Sequence, residues 1–535
     1  MEGVTETMSN NLLENTIGFR IPAIVYVLSI IAFTLIAASA CSASPERAEH
    51  RLPNIIIMYA DDLGYGDIGA YGATAISTPN IDALAKSGIQ FMDAHASAAT
   101  CTPSRYSLLT GEYAFRRQAQ ILRGDAPALI RPGQPTLASM LKSRGYTTAV
   151  VGKWHLGLGD DNVDWNGPVK PGPLEVGFDY SFLLPATGDR VPTVYVENHH
   201  VVGLEADDPL QVSYQEKIGD RPVGYENPDL LRQGADKLHS GSIVNGISRI
   251  GYMEGGKAAE WVDEDFPDIF TGKAIDFIRA NKEGPFFLYF PFHDPHVPRL
   301  PHKRFQGSTQ LGARGDAIVQ LDWMTGQIVA ELRRLGIEED TLIVFSSDNG
   351  PVLNDGYEDR SVELLGDHKP AGPLRGGKYS AFEAGARVPT LLTWPGAVDP
   401  AISDALVSQV DFYASFAALV GSELRPTEAI DSENVLDALL GNSRQGRITL
   451  FKQSLGPDSL RSARYKYISP VPALSPSLQA IEQKKGVETG QSVEPQLYDL
   501  SNDLGERVDI AAEHPEIVEE MQRAIDAIRQ RSNSP

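Results

Sequence analysis

Four short apolar runs, at residues 54–59, 147–151, 286–290 and 341–345, each end in a polar cluster. The first runs into Asp61-Asp62 and the second into Gly152-Lys153-Trp154-His155. The third meets His293-Asp294-Pro295-His296, and the fourth Asp348-Asn349-Gly350. Continuous apolar runs of this length read as strands buried on both faces. Helical patterning over residues 81–87, 136–144, 274–280 and 317–335 alternates with them, which predicts an α/β fold with a parallel sheet. Ligands of such sheets collect at the strand carboxyl ends, so all four polar clusters are expected at one edge.

From about Arg444 the pattern changes. Residues 448–451, 465–468 and 496–500 read as antiparallel strands, followed by a helix over 515–531. A polar stretch rich in Gly, Pro and Tyr, residues 197–268, reads as a long insertion of the kind that shapes specificity. The expected organisation is an N-terminal leader or anchor at 1–45, a catalytic domain at 46–443 and a smaller C-terminal α+β domain at 444–535.

The chain has 535 residues, 42% of them hydrophobic, and carries 70 acidic against 47 basic side chains, a net charge of −23. That balance describes a globular protein and argues against nucleic acid as a partner, which needs a basic face. Residues 21–40 are apolar almost throughout and end in Ala38-Ser39-Ala40-Cys41, small residues like those that precede signal cleavage, and predict export to the periplasm or cell surface. A cleaved signal, a lipid anchor at Cys41 and an uncleaved membrane anchor all remain open, because Glu2, Glu6 and Glu14 outnumber Arg20 ahead of the run. Cys41 and Cys101 are the two cysteines, so Cys101 is available for chemistry.

Asp61, Asp62, Asp348 and Asn349 offer only oxygen donors, which select a hard divalent cation, Ca²⁺ or Mg²⁺, over zinc. Cys101-x-Pro103-x-Arg105 places a thiol where a helix begins, with Arg105 one turn on, a setting for a nucleophile beside a bound oxyanion. Lys153 and His155 alternate along what reads as an extended segment, His293 and His296 flank a turn, and Arg375 and Lys378 share a glycine-rich loop. Together they would surround a small tetrahedral anion. Gly64 to Gly69 has dinucleotide-fingerprint spacing but no helical pattern after it, and Gly372 to Lys378 has phosphate-loop spacing with Tyr379 where Ser or Thr belongs, so both read as accidental matches.

Cys101-Thr102-Pro103-Ser104-Arg105 with its continuation Leu108-Leu109-Thr110-Gly111 resembles the signature of the sulfatase family. Gly152-Lys153-Trp154-His155-Leu156-Gly157, His293-x-Pro295-His296 and Gly376-Gly377-Lys378-Tyr379-Ser380 are sulfatase-like as well, and the resemblance spans roughly residues 53–421. It implies an alkaline phosphatase-like α/β fold, a large mixed, mainly parallel sheet flanked by helices, and a sulfuric ester hydrolase whose cysteine is oxidised to formylglycine (3-oxoalanine) by a formylglycine-generating enzyme. In that family one hydroxyl of the hydrated aldehyde attacks sulfur, and the other later expels sulfate. Carried over by motif, Asp61, Asp62, Asp348, Asn349 and the Cys101-derived oxygen would hold one Ca²⁺, with Mg²⁺ the alternative. Arg105 and Lys153 would stabilise the diol, His155 would take the proton that triggers sulfate release, and Lys378 with His296 would bind sulfate and protonate the leaving oxygen, His293 supporting.

Glu383-Ala384-Gly385 and Leu504-Gly505-Glu506 depart from the family's usual Glu-Gly-Gly and Pro-Gly-Glu. Residues 355–373 are similar to those of bacterial sulfatases acting on carbohydrates, some at the 6-position of galactose-type sugars. The expected partner is therefore a sulfated small molecule or polysaccharide. A phosphonate or phosphate monoester hydrolase with the same nucleophile, and a silent anchored glycan-binding protein, remain the alternatives.

Overall fold

Strand β1 (Asn54–Ala60), buried at every position, lies near the middle of a ten-stranded sheet. The computed structural model describes residues 52–531, and the leader and anchor expectations for 1–45 lie outside them. Along the chain the other strands of this sheet are β2 (Ile89–Phe91), β3 (Thr147–Lys153), β4 (Tyr180–Leu184), β5 (Val196–Glu197), β6 (His200–Val201), β7 (Phe286–Pro291), β8 (Thr341–Ser347), β9 (Thr390–Thr393) and β10 (Ala401–Ser403). Their spatial order is β10-β2-β9-β8-β1-β7-β3-β4-β5-β6.

The central five, β8-β1-β7-β3-β4, are parallel and flanked by one antiparallel strand on each side, β9 and β5; beyond them β2 is antiparallel to β9, β10 parallel to β2, and β6 antiparallel to β5. The register is level. Tyr59 pairs with Pro291 and Ala60 with Ser347, and Lys153 with Leu184, so the strands finish along one edge. Each of the four expected strands runs one or two residues further than the apolar pattern shows, because backbone pairing continues after the side chains turn polar.

Helices cover both faces. α1 (Pro79–Ser87), α4 (Phe266–Asn281) and α5 (Gly312–Leu335) press Ile81, Leu84, Phe270, Phe277, Ile318, Leu321 and Ile328 onto Ile56, Met58, Leu288, Phe290, Ile343 and Phe345. On β1 the side chains alternate, so Tyr59 faces the other way and lies under the Arg105 guanidinium of α2 (Cys101–Thr110), 5.5 Å from its ring centre. α3 (Leu137–Ser143) and α6 (Phe412–Leu419) pack beside α2. Among the described residues no helix is long and apolar enough to cross a membrane.

The C-terminal sheet is antiparallel in the order β11 (Thr449–Lys452), β12 (Ser459–Ser462), β13 (Tyr465–Ile468) and β14 (Gln496–Asp499). Met521 and Ile525 of α8 (Pro515–Gln530) cover Phe451, Leu460, Tyr467 and Leu497. Two elements here escape the sequence pattern. β12 reads Ser-Leu-Arg-Ser, with Arg461 buried among the acids Asp93 and Glu383. α7 (Pro476–Lys485), in the β13–β14 connection, buries only Leu478.

One buried acid gives the fold a pH dependence. Burial pushes the Asp294 carboxyl from its ordinary 3.8 up to about 7, against one hydrogen bond from Gln320 Nε2 at 2.8 Å. The folded state therefore holds a proton that the unfolded chain releases, and stability falls as pH rises from about 4 to about 7. Asp294→Asn should remove that part of the slope, read as urea unfolding midpoints at pH 4.5 and 7.5.

Candidate active site

Cys101 is the first residue of α2, with extended backbone at Thr100 before it and Pro103 in the first turn, where the missing N–H is no loss. The helix closes at Gly111 in the left-handed region, φ 66°, with its N–H bonded to the Ser107 carbonyl. Cys101 is free and 1% exposed. Burial pushes its thiol up to about 12, more than Lys153 and Lys378 pull it down. The unconverted side chain is thus a neutral thiol, a weak nucleophile despite its helix-start position.

Asp61 and Asp62 follow β1, and Asp348 and Asn349 follow β8, so pairing of the two strands brings all four together. Carboxylate oxygens of Asp61, Asp62 and Asp348 lie within 4.8 Å of one another. Burial, then the Asp348 charge, holds the Asp61 carboxyl well above the usual range, and burial raises Asp62 as well. Asp348 stays below the usual range although burial opposes it, because Arg105 donates to its Oδ2 from Nη2 at 2.7 Å and Nε at 3.0 Å. Lys153 Nζ donates to Asp61, and Asn349 Nδ2 donates to Asp62 Oδ1 at 2.7 Å. Gly350 has no room for a side chain, since a Cβ there would lie 1.6 Å from the Ala384 carbonyl oxygen.

Two oxygens in this group, Asp61 Oδ1 and Asn349 Oδ1, are buried with no hydrogen-bond partner. Three crowded carboxylates with orphaned oxygen acceptors fit a hard divalent cation, which would satisfy both the charge and the lone pairs.

β3 ends at Lys153, and His155 has φ +53°, so the two do not share one extended segment as the sequence suggests. They diverge. Lys153 turns to Asp61, while His155 Nε2 lies 3.0 Å from the Leu122 carbonyl and so carries the proton. Its Nδ1, buried and unpartnered, is then a free base, and burial with Lys153 holds the ring neutral. His296 likewise donates from Nδ1 to the Val297 carbonyl at 2.7 Å and directs Nε2 toward Asp62 Oδ2 at 3.8 Å. His293 sits behind it, its ring 5.2 Å from Phe266 and its Nε2 unpartnered. Burial pushes His293 down to about 3. Lys378 bridges Asp62 Oδ2 at 2.9 Å and Asp355 Oδ2 at 3.0 Å.

Cys101, His155, His296 and Lys378 open into one cavity of about 450 Å³. Its remaining walls are what the sequence reading missed as individual residues. Asp189 and Arg190 come from the loop after β4; Asp236, Leu238, His239 and Ile250 come from the long insertion, while Asp355, Lys484 and Lys485 lie further along the chain. His239 stands between two acids, Asp236 at 2.8 Å and Asp189 at 3.4 Å, which together hold its imidazole above the ordinary value despite burial. The position of the insertion after β4 was the only available signal for it.

The accidental glycine motif has another use. Gly66 lies so close to the chain at Lys369 that a Cβ would stand 2.2 Å from its carbonyl oxygen. Both departures from family wording meet, since Glu506 Oε2 accepts the Glu383 N–H at 2.6 Å.

Residues 53–422 match the family model described as Sulfatase. The N-acetylgalactosamine-6-O-sulfatase of Bacteroides thetaiotaomicron is 48% identical over 482 residues, covering 90% of this chain and 93% of that one. Arylsulfatase A of Bos taurus is 29% identical over 518 residues, with 92% and 88% covered. A solved structure described under metabolism of multiple glycosaminoglycans by Bacteroides thetaiotaomicron superposes with a TM-score of 0.88 at 48% identity, covering 90% of this chain and all of that one. With this match, and with the cysteine, acids, lysines and imidazoles gathered at one sheet edge, the chain belongs to the sulfatase family of sulfuric ester hydrolases.

Proposed function

We propose that this protein is an exported carbohydrate sulfatase that works through formylglycine at position 101 and a bound Ca²⁺, with Mg²⁺ the alternative ion. The observation that carries the reading is the opening of Cys101, His155, His296 and Lys378 into one cavity beside the buried acids Asp61, Asp62 and Asp348. Asp61, Asp62, Asp348 and Asn349 would hold the cation, which when bound supplies positive charge to sulfate oxygens and to the position-101 oxygen.

The chain's own groups take the remaining tasks. Lys378, which lines the cavity with its ammonium held between Asp62 and Asp355, meets the ester's negative oxygens. Arg105 and Lys153 fix the acids, Arg105 as a planar fork on Asp348 and Lys153 on Asp61. His155, neutral with Nδ1 free, accepts the proton whose loss from position 101 expels sulfate. Lys378 and His296 flank the leaving oxygen, and the Lys378 ammonium, which carries a proton where His296 Nε2 does not, returns it. A formylglycine-generating enzyme is the required maturation partner, and attachment through the N-terminus is consistent with the apolar run at 21–40.

The cavity suits a sugar. Ile121, Ile250, Leu455 and Ile481 give an apolar wall for ring C–H groups, and Asp189, Arg190, Asp236 and His239 give hydroxyl partners. A 6-O-sulfated N-acetylgalactosamine is the first ester to try, because the 48%-identical relative carries that name.

Protein co-expressed with a formylglycine-generating enzyme is assayed for sulfate and phosphate release from sulfated oligosaccharides, an aryl sulfate and an aryl phosphonate. Sulfate from a sugar ester supports the reading; phosphonate cleavage alone overturns it. Exhaustive chelation should abolish release and lower the urea unfolding midpoint, both returning with Ca²⁺ or Mg²⁺, because three buried carboxylates then repel without a cation. Full activity after chelation would remove the metal from the reading.

A further inference from the structure

The C-terminal region reaches into the cavity through α7. Ala480, Ile481, Lys484 and Lys485 line it, and α7 ends at Gly486, φ 66°, whose N–H bonds to the Glu482 carbonyl. The helix end is held in place by Asn354 Nδ2, which donates to the Lys484 carbonyl at 2.9 Å, and by Lys484 Nζ on Asp236 at 2.5 Å. Beyond the cap, Val487 packs with Val352 and Tyr379.

Asp355 is the meeting point. Its Oδ2 accepts from Lys378 Nζ at 3.0 Å, and its Oδ1 accepts from Tyr379 Oη at 3.0 Å and from Lys485 Nζ. Asp355 is 4% exposed and Lys378 2%, and the Lys485 side chain is only 12% exposed. Lys378 and Lys485 between them keep the carboxyl ionised although burial opposes it. The three groups therefore carry a net charge of +1 in a weakly screened setting. Without Lys485 the sum is zero, and the whole Asp355 charge falls on Lys378.

We propose that Lys485 is a positioning residue for the sulfate-binding lysine, acting through Asp355: it occupies one carboxylate oxygen and offsets the acid's charge, so that the Lys378 ammonium stays available to the ester. This rests on the reading of Lys378 as the group that meets sulfate. A helix outside the strand edges thereby sets the strength of the anion site, and the effect belongs to binding of both substrate and product.

The test compares the calcium-loaded, formylglycine-bearing enzyme with Lys485→Met and Lys485→Arg. Four quantities are measured: kcat and KM on the best sulfate ester, calorimetric Kd for inorganic sulfate, and the urea unfolding midpoint. Lys485→Met should raise KM and the sulfate Kd about tenfold, the scale of one partly buried charge, with kcat changed by less than about threefold. Lys485→Arg, which keeps the charge, should restore both. KM and Kd within about twofold of the unsubstituted enzyme, or an equal loss in the arginine variant that tracks the unfolding midpoint, would overturn the inference. Absence of turnover in the unsubstituted enzyme would count against the sulfatase reading instead, and the sulfate Kd series would still decide the role of Lys485.

Discussion

Cys101→Ala is expected to lower sulfate release by about four to six orders of magnitude, the range found when an enzyme loses its covalent nucleophile. The substituted protein should still fold. The thiol is buried and neutral at the start of α2, and its loss removes one heavy atom, an effect on the order of 1 kcal/mol. The separation of the two effects is what identifies the residue as chemical and not structural. Mass spectrometry of the tryptic peptide containing position 101 gives the fraction converted to formylglycine, against which the rate is normalised. Sulfate release that persists in the alanine variant, or that does not scale with conversion in the natural chain, would place the chemistry elsewhere.

Arg105→Ala should be the most destabilising single change at the site, by about 3–5 kcal/mol, because it leaves Asp348 buried without its cation. Arg105 is fully buried, holds Asp348 Oδ2 from two nitrogens, stands 3.6 Å from Asp61 Oδ2 and donates to the Lys153 carbonyl at 3.1 Å. It thus ties together the ends of β8, β1 and β3. Activity should fall with stability and should fall further than stability alone explains, since Asp61 and Asp348, which would hold the cation, lose their register. Arg105→Lys is expected to recover charge but not the fork, and so only part of the stability. Urea unfolding and sulfate release measured on the same preparations check both; a variant as stable as the natural chain would mean that the bound cation alone sets the Asp348 position.

The candidate site could be read so far from the chain alone because its parts sit at the ends of buried parallel strands. In such strands the apolar run marks where the sheet lies, and the first polar residues after it mark the edge, so Asp61, Asp348 and His296 could be placed without a structure. The Cys-x-Pro-x-Arg turn is local, within one helix start, and local geometry survives in sequence. His155 shows where this stops. One left-handed residue after β3 redirects its ring, and nothing in an alternating pattern signals a positive φ at a histidine.

Composition, the strand-and-helix alternation, the nucleophile motif and the oxygen-donor set were determined by the sequence itself, since each rests on residue type and short-range spacing. Tertiary structure alone decided which distant charges face one another. Asp355 meets Lys485 130 positions away, Asp189 meets His239, and Arg461 in the small sheet meets Asp93, just beyond the end of β2. The residues themselves are polar and follow no strand or helix period. Their positions are set by charge pairing across long chain separations, an energy that exists only once the chain has closed around it.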